Sequence, residues 1–177
     1  MNKTAVIYKS KYGATKQYAI WIAEELNASL FEASGIKPSQ LADYDVVVYG
    51  GGLYADGING VKLVTENPCK ALAVFSVGLK DPATADFSDV LAKNFKGEHL
   101  SKIKVFHLRG GADFKSLSFL HKGIVAMLKK VAGKKPPAER TSEEQAAIAI
   151  ADEKVDFTDK ASILPLVEYV RGMLGES

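Results

Sequence analysis

The stretch Thr4-Ala-Val-Ile-Tyr-Lys-Ser-Lys-Tyr-Gly-Ala-Thr15, followed at once by a helical pattern, decides how this chain is read. Ala5 to Tyr8 is a short apolar, β-rich run that suits a buried strand. Ser10 to Thr15 is a hydroxyl-rich turn with one glycine, Gly13, just before Ala14. From Lys16 to Leu26, the residues Tyr18, Ile22, Ala23 and Leu26 share one face at helical spacing. A strand that runs through such a loop into a helix builds an anion site. The first-turn N–H groups have no intrahelical partner, and the helix dipole adds roughly half a positive charge there. Ser10, Tyr12 and Thr15 add hydroxyl donors, and Gly13 permits φ > 0 and a close backbone approach. A phosphate is the natural guest; the plain alternative is a well-capped first helix.

Further β-like runs follow at Ser29–Glu32, Asp45–Tyr49, Ala71–Val77 and Lys104–Leu108, with helical patterns at Gly60–Glu66 and Phe87–Phe95 among them. Runs that are apolar throughout, such as Val46 to Tyr49 and Leu72 to Phe75, suit strands covered on both faces. The alternation predicts an α/β fold with an open, doubly wound, five-stranded parallel sheet, read as one domain over 1–177. Strand order 2-1-3-4-5 places a ligand crevice at the carboxyl ends of strands one and three. The Ser10–Thr15 loop then lies beside the loop from Gly50 to Gly57, where Gly51, Gly52 and Leu53 bring backbone close to a flat ring. Tyr54 offers that ring an aromatic face. A third loop, Ser76-Val77-Gly78-Leu79, ends strand four at the same edge. Each loop alone is ordinary turn chemistry; their convergence points to one planar, phosphorylated ligand.

The chain has no G-x-x-x-x-G-K-[ST] and no G-x-G-x-x-G after its first strand, which argues against a nucleoside triphosphate or a dinucleotide. Ser10-Lys-Tyr-Gly13-Ala-Thr15 instead resembles the S-x-T-G-x-T loop of flavodoxins, which holds the terminal phosphate of FMN. Tyr12 departs from it, standing where threonine is usual; its hydroxyl reaches further out and leaves its backbone N–H as the phosphate contact. Together with Phe75–Leu79, Val155–Asp159 and a long insertion after strand five (about 109–157), the loop resembles one branch of that fold. This branch includes the oxygen-independent, menaquinone-linked protoporphyrinogen oxidase. The resemblance implies a flavodoxin-like fold with a helical insertion, FMN as cofactor, and an insertion segment near Arg109 to Lys135 that helps dock a large partner. Porphyrinogen as substrate is its furthest implication.

That insertion opens with Arg109-Gly110-Gly111-Ala-Asp113, a candidate site for substrate or partner contact. Arg109 suits a substrate carboxylate, or a surface ion pair with Asp113. A helix is expected over Phe114 to Val131, carrying Leu117, Leu120, Ile124, Met127, Leu128 and Val131. Its stripe packs on the domain, roofs the flavin, or faces a partner or membrane surface. Beyond the acidic, alanine-rich Glu139–Glu153, Thr158 or Asp159 caps a last helix from about Lys160 to Leu174.

Composition narrows the classes further. A net charge of +2 gives no case for nucleic acid, and Lys129, Lys130, Lys134 and Lys135 read as a solvated helix end. No apolar run approaches the ~18 residues of a membrane span, although peripheral association stays open. One cysteine, Cys69, and no signal peptide fit a reducing cytoplasm; Cys69 reads as structural. His99, His107 and His121 lack metal-ligand spacing. His107 reads as a structural strand residue, and His121 faces either solvent or the crevice. Two functions remain: an FMN-dependent oxidoreductase acting on a quinone or another small-molecule substrate, or a soluble flavodoxin-type electron carrier that docks on a redox partner protein. Near-neutral charge favours the enzyme, since ordinary carrier flavodoxins are strongly acidic. A fold that has lost its flavin is a third reading, and the oligomeric state stays open.

Overall fold

The computed structural model describes residues 3–98, 102–152 and 154–175. His99 lies outside the described residues. The sheet is built on β1 (Thr4–Lys9), flanked by β2 (Ser29–Glu32) and β3 (Val46–Tyr54), then β5 (Leu72–Gly78) and β6 (Lys104–Arg109). These strands are parallel in the order β2-β1-β3-β5-β6. With the short antiparallel β4 (Gly57–Ile58) set aside, this is the order expected from the alternation.

Side chains alternate across each strand, so both faces must be covered. Val6, Tyr8, Val48 and Phe75 pack with Tyr18 and Ile22 of α1 (Ala14–Leu26) and with Leu166 and Val170 of α6 (Leu164–Leu174). On the opposite face, Ile7, Val47, Tyr49 and Val74 meet Leu41, Val64 of α2 (Lys62–Thr65) and Val90 of α3 (Ser88–Asn94). Cys69 joins the edge of this second cluster, and burial pushes its thiol up to about 11, which keeps it protonated at neutral pH.

Two stretches differ from the sequence reading. The Gly50–Gly52 run is not loop: β3 continues through it to Tyr54 and turns back as β4. Ala55 (φ 46°) and Asp56 (φ 62°) form the tip, and two successive positive φ angles match the twist of a tight hairpin. An alanine in that region is strained, and α3 holds it there. Lys93 Nζ donates to Ala55 O, while Asn94 Nδ2 donates to Asp56 O at 2.7 Å and Asn94 Oδ1 accepts from Ile58 N at 2.8 Å.

The second difference lies in the insertion. The helix expected from Phe114 starts at Phe119. Asp113 accepts from Lys115 N at 2.9 Å and caps a 3₁₀ turn (Phe114–Ser116), and Ser118 then caps α4 (Phe119–Ala132). The alanine-rich segment becomes α5 (Ser142–Asp152). It begins with a reciprocal cap in which Thr141 Oγ1 accepts from Glu144 N at 3.2 Å and Glu144 Oε2 accepts from Thr141 N at 3.0 Å. At the base, β7 (Gly111–Ala112) pairs antiparallel with β8 (Val155–Asp156), which closes the insertion at a narrow neck. Gly111 is required there, because a Cβ would collide with the backbone of Val155 and Asp156. Asp159 accepts from Ala161 N at 2.9 Å and starts the turn into α6, with Pro165 in its first turn.

Candidate functional site

Four of the five loops at the carboxyl edge of the sheet, all but the one after β2, open onto one cleft of about 300 Å³. Ser10, Tyr12, Ala14 and Thr15 line it from the first loop, Gly52, Leu53, Tyr54 and Ala55 from the hairpin after β3. Val77, Gly78 and Leu79 close the end of β5, and Gly110, Gly111 and Ala112 follow β6. The opposite wall comes from the insertion: Leu117, Leu120, Ile124, Val125 and Leu128, with Ala147 and Ile150 of α5. A second, more polar hollow of about 390 Å³ shares Tyr12, Ala14, Gly111 and Ala112 with the first. It extends past Gly13 and Gln17 to Ser116 and Thr158.

Gly13 is the residue before α1, with φ 99°, and its N–H donates to Ser10 Oγ at 3.1 Å. The next N–H groups begin the helix and have no intrahelical acceptor. Thr15 is buried at the cleft wall, and its hydroxyl makes no hydrogen bond among the described residues. Asp113, Lys154 and Asp156 all line the polar hollow; both carboxylates are already engaged, by Lys115 N and by Thr158 N.

The unusual Tyr12 has a structural partner. Its hydroxyl lies 2.7 Å from His121 Nδ1 and accepts from Ser118 N at 3.2 Å, so it ties the first loop to the start of α4. His121 in turn stacks on Tyr54, with centroids 4.9 Å apart and planes at 16°. His121 therefore faces the crevice. Burial, and then the Lys11 charge, lower its pKa, which leaves the ring neutral at pH 7. Burial, with Tyr12 adding to it, pushes the Tyr54 phenol up to about 12.

Several residues anticipated for the site lie elsewhere. Ser76 points to the other side of the sheet, where its Oγ is 2.7 Å from His107 Nδ1. His107 stacks on Phe87 at 3.7 Å between centroids, and burial lowers its pKa to about 4. Gly51 does not line the cleft, since it faces the returning strand, where a Cβ would stand 2.6 Å from Asn59 O. Gly13 borders the polar hollow rather than the cleft. Arg109 meets neither cavity and does not pair with Asp113. Its guanidinium carbon lies 3.9 Å from the centroid of Phe157, Nε donates to Leu79 O at 3.3 Å, and Nη1 is 3.7 Å from Asp81. Leu117, Leu120, Ile124 and Leu128 of the expected stripe roof the cleft, one of the three placements open to it, whereas Ala55, Val125 and the α5 residues Ala147 and Ile150 were unforeseen. Among the described residues, no cluster of His, Cys, Asp and Glu could hold a metal ion.

The family model described as Flavodoxin domain (Flavodoxin_5) matches residues 5–139, well over half of the chain. This chain belongs to the flavodoxin family. FMN is the cofactor that goes with this membership, and the site fits it. The polar hollow and helix start suit a phosphorylated chain, and the adjoining apolar cleft suits a flat ring. A flavodoxin from the domain Archaea is 16% identical, over 85% of this chain and 96% of its own, with a TM-score of 0.45. A flavoprotein in complex with FMN from Lactobacillus acidophilus NCFM is 16% identical over 62% of this chain and 93% of its own, at 0.40. Oxidised flavodoxin 1 from Bacillus cereus is 17% identical over 61% and 84%, at 0.43. No curated protein matches the chain significantly.

Proposed function

We propose that this flavodoxin-family chain is an FMN-dependent oxidoreductase with its own substrate site, of the protoporphyrinogen-oxidase-like, quinone-linked kind. The carrying observation is the apolar wall that α4 and α5 set across the cleft from the flavin loops. A carrier needs its flavin edge reachable by a partner's cofactor; a roof of leucine, isoleucine and valine obstructs that approach. The same roof excludes water and favours a flat, apolar substrate. When bound, FMN supplies one- and two-electron transfer at its ring.

The chain's own residues divide the remaining work. Thr15 and the N–H groups at the start of α1 hold the phosphate. Backbone at Gly52, Leu53 and Gly78 bounds the ring slot, and Tyr54, stacked on His121, lines it. Neutral His121 has its Nδ1 fixed by Tyr12, and Nε2 is left to take or give a proton at the cleft.

Gly13→Asp with Thr15→Val tests the cofactor loop. A carboxylate about 4 Å from the phosphate costs roughly 4 kcal/mol at an effective dielectric of ~20, so flavin should be lost on purification. Unchanged flavin content in the folded double variant would remove the assignment. Anaerobic turnover of the FMN-loaded protein with porphyrinogens, quinones and nicotinamides tests the substrate class. The expected result is turnover with a porphyrinogen or quinone. Electron exchange with redox proteins alone would assign the carrier role instead.

A further inference from the structure

We infer that α4 is a docking helix for an anionic lipid surface, and that it sets the mouth of the cleft against the bilayer. Phe119 is 95% exposed, Leu120 71% and Met127 59%, and Ile124 and Val131 continue the same exposed face. Positions 120, 124, 127 and 131 are one turn apart, so they form a continuous apolar stripe. Soluble surfaces carry scattered apolar residues, but a contiguous stripe on one helix marks a contact surface.

Charge selects what makes that contact. From Phe114 to Ala138 the chain has six lysines and no carboxylate. Lys129 pairs with Asp152 and Lys135 with Glu144, whereas Lys115, Lys122, Lys130 and Lys134 make no ion pair among the described residues. Lys130 lies beside the stripe and Lys115 and Lys134 lie beyond its two ends, whereas Lys122 sits on the far side of the helix over the Phe114 ring. An exposed apolar stripe with unpaired lysines at its edge and ends is the pattern of a helix lying in the plane of a membrane interface. Anionic headgroups supply the counter-charge, and the acyl boundary accepts Phe119, Leu120 and Met127. A second copy on this face would set lysines against lysines across a two-fold axis.

The stripe also runs into the cleft. Leu120 and Ile124 are exposed on the outside and line the cavity within, so the apolar surface continues from the docking face to the cofactor loops. A helix seated on the bilayer therefore opens the cleft toward the lipid phase. The placement goes beyond the proposed reaction and does not depend on it, because vesicle binding is read without turnover.

The test is flotation of FMN-loaded, full-length protein with vesicles of phosphatidylcholine alone or mixed with phosphatidylglycerol. Binding is expected with the mixed vesicles, weakened by salt, and much less with phosphatidylcholine alone. Phe119→Ser/Met127→Ser should lower partition by more than roughly tenfold with an unchanged circular dichroism spectrum and flavin content. Lys115→Gln/Lys130→Gln/Lys134→Gln should lose about fivefold per lysine on mixed vesicles only. Trp21→Phe/Phe119→Trp should show a blue-shifted emission when mixed vesicles are added. Protein that stays in the supernatant with both vesicle types overturns the inference. So does undiminished binding of the folded serine variant, or a dimer that the serine variant abolishes while vesicles are ignored.

Discussion

The sheet and the insertion handle their apolar residues in opposite ways. In the sheet, Ile7, Tyr49, Phe75 and Val74 are fully enclosed between two helical layers, and the polar groups near them are paired. In the insertion, Leu117, Val125, Ala147 and Ile150 make a small third cluster, while Phe119, Leu120 and Met127 of the same segment face outward. Burial that stabilises a fold and exposure that serves a contact are thus divided between two parts of one chain. The boundary is the neck at Gly111–Ala112 and Val155–Asp156.

Excision gives the largest effect. Joining Ala112 to Val155 by a short Gly-Ser connector removes the third cluster and leaves the other two intact. The shortened chain should unfold cooperatively in urea, keep the sheet's circular dichroism, and lose turnover. Failure to fold would show that the insertion is part of the main core and erase the division. Paired truncations sharpen it on a smaller scale. Phe75→Ala should cost about 3–5 kcal/mol by urea titration. Phe119→Ala should stay within about 0.5 kcal/mol, since an exposed side chain leaves no cavity. Equal losses would mean that Phe119 is covered in the folded protein.

Acid should act first through the sheet. His107 has a folded-state value near 4 against about 6.5 when unfolded, so below pH ~6.5 the unfolded chain takes up a proton that the folded one refuses. Stability is full above that pH and falls progressively down to about 4. Because the ring is partly solvent-screened, the loss is on the order of 1–2 kcal/mol. Urea midpoints from pH 7.5 to 4.5 should show the slope, and His107→Asn should flatten it. A slope untouched by that change would move the effect to His121, which shifts in the same direction. A smaller effect is expected at the latch. Tyr12→Phe removes one hydroxyl and with it the contacts to His121 Nδ1 and Ser118 N at the start of α4, worth about 0.5–1.5 kcal/mol together at this partly exposed site. It should appear as faster amide exchange in α4 with little change in β1; equal acceleration in both would deny that Tyr12 serves the insertion.

The sheet was legible because strands covered on both faces read as unbroken apolar runs, and Val46 to Tyr49 and Leu72 to Phe75 are such runs. The loops were legible because they must follow those strands. Ser76 was misplaced by one step of alternation: Val77 faces the cleft, so its neighbour necessarily faces away. The glycines after Tyr49 suggested a loop, although β3 continues through them where Gly50 has Phe75 beside it, with no room for a Cβ. In the insertion, the stripe drawn through Leu120, Ile124, Met127 and Val131 was a real face, but periodicity alone does not say what lies opposite. The helix buries Val125 and Ala132 instead. Thr141-x-x-Glu144 was a readable helix start that went unused. Tyr12, read as a departure from a motif, gained its meaning only from His121, more than a hundred residues away.

The ribbon at the neck has a bearing on descent. Gly111 and Asp156 are neighbours in space, so everything between them can be gained or lost in a single genetic event without moving a strand of the sheet. A lineage could acquire such a cassette, refine its outer face under selection, and leave the cofactor-binding frame untouched. The same adjacency makes the segment portable: grafted after the fifth strand of an uninserted relative, it would bring its own closure with it.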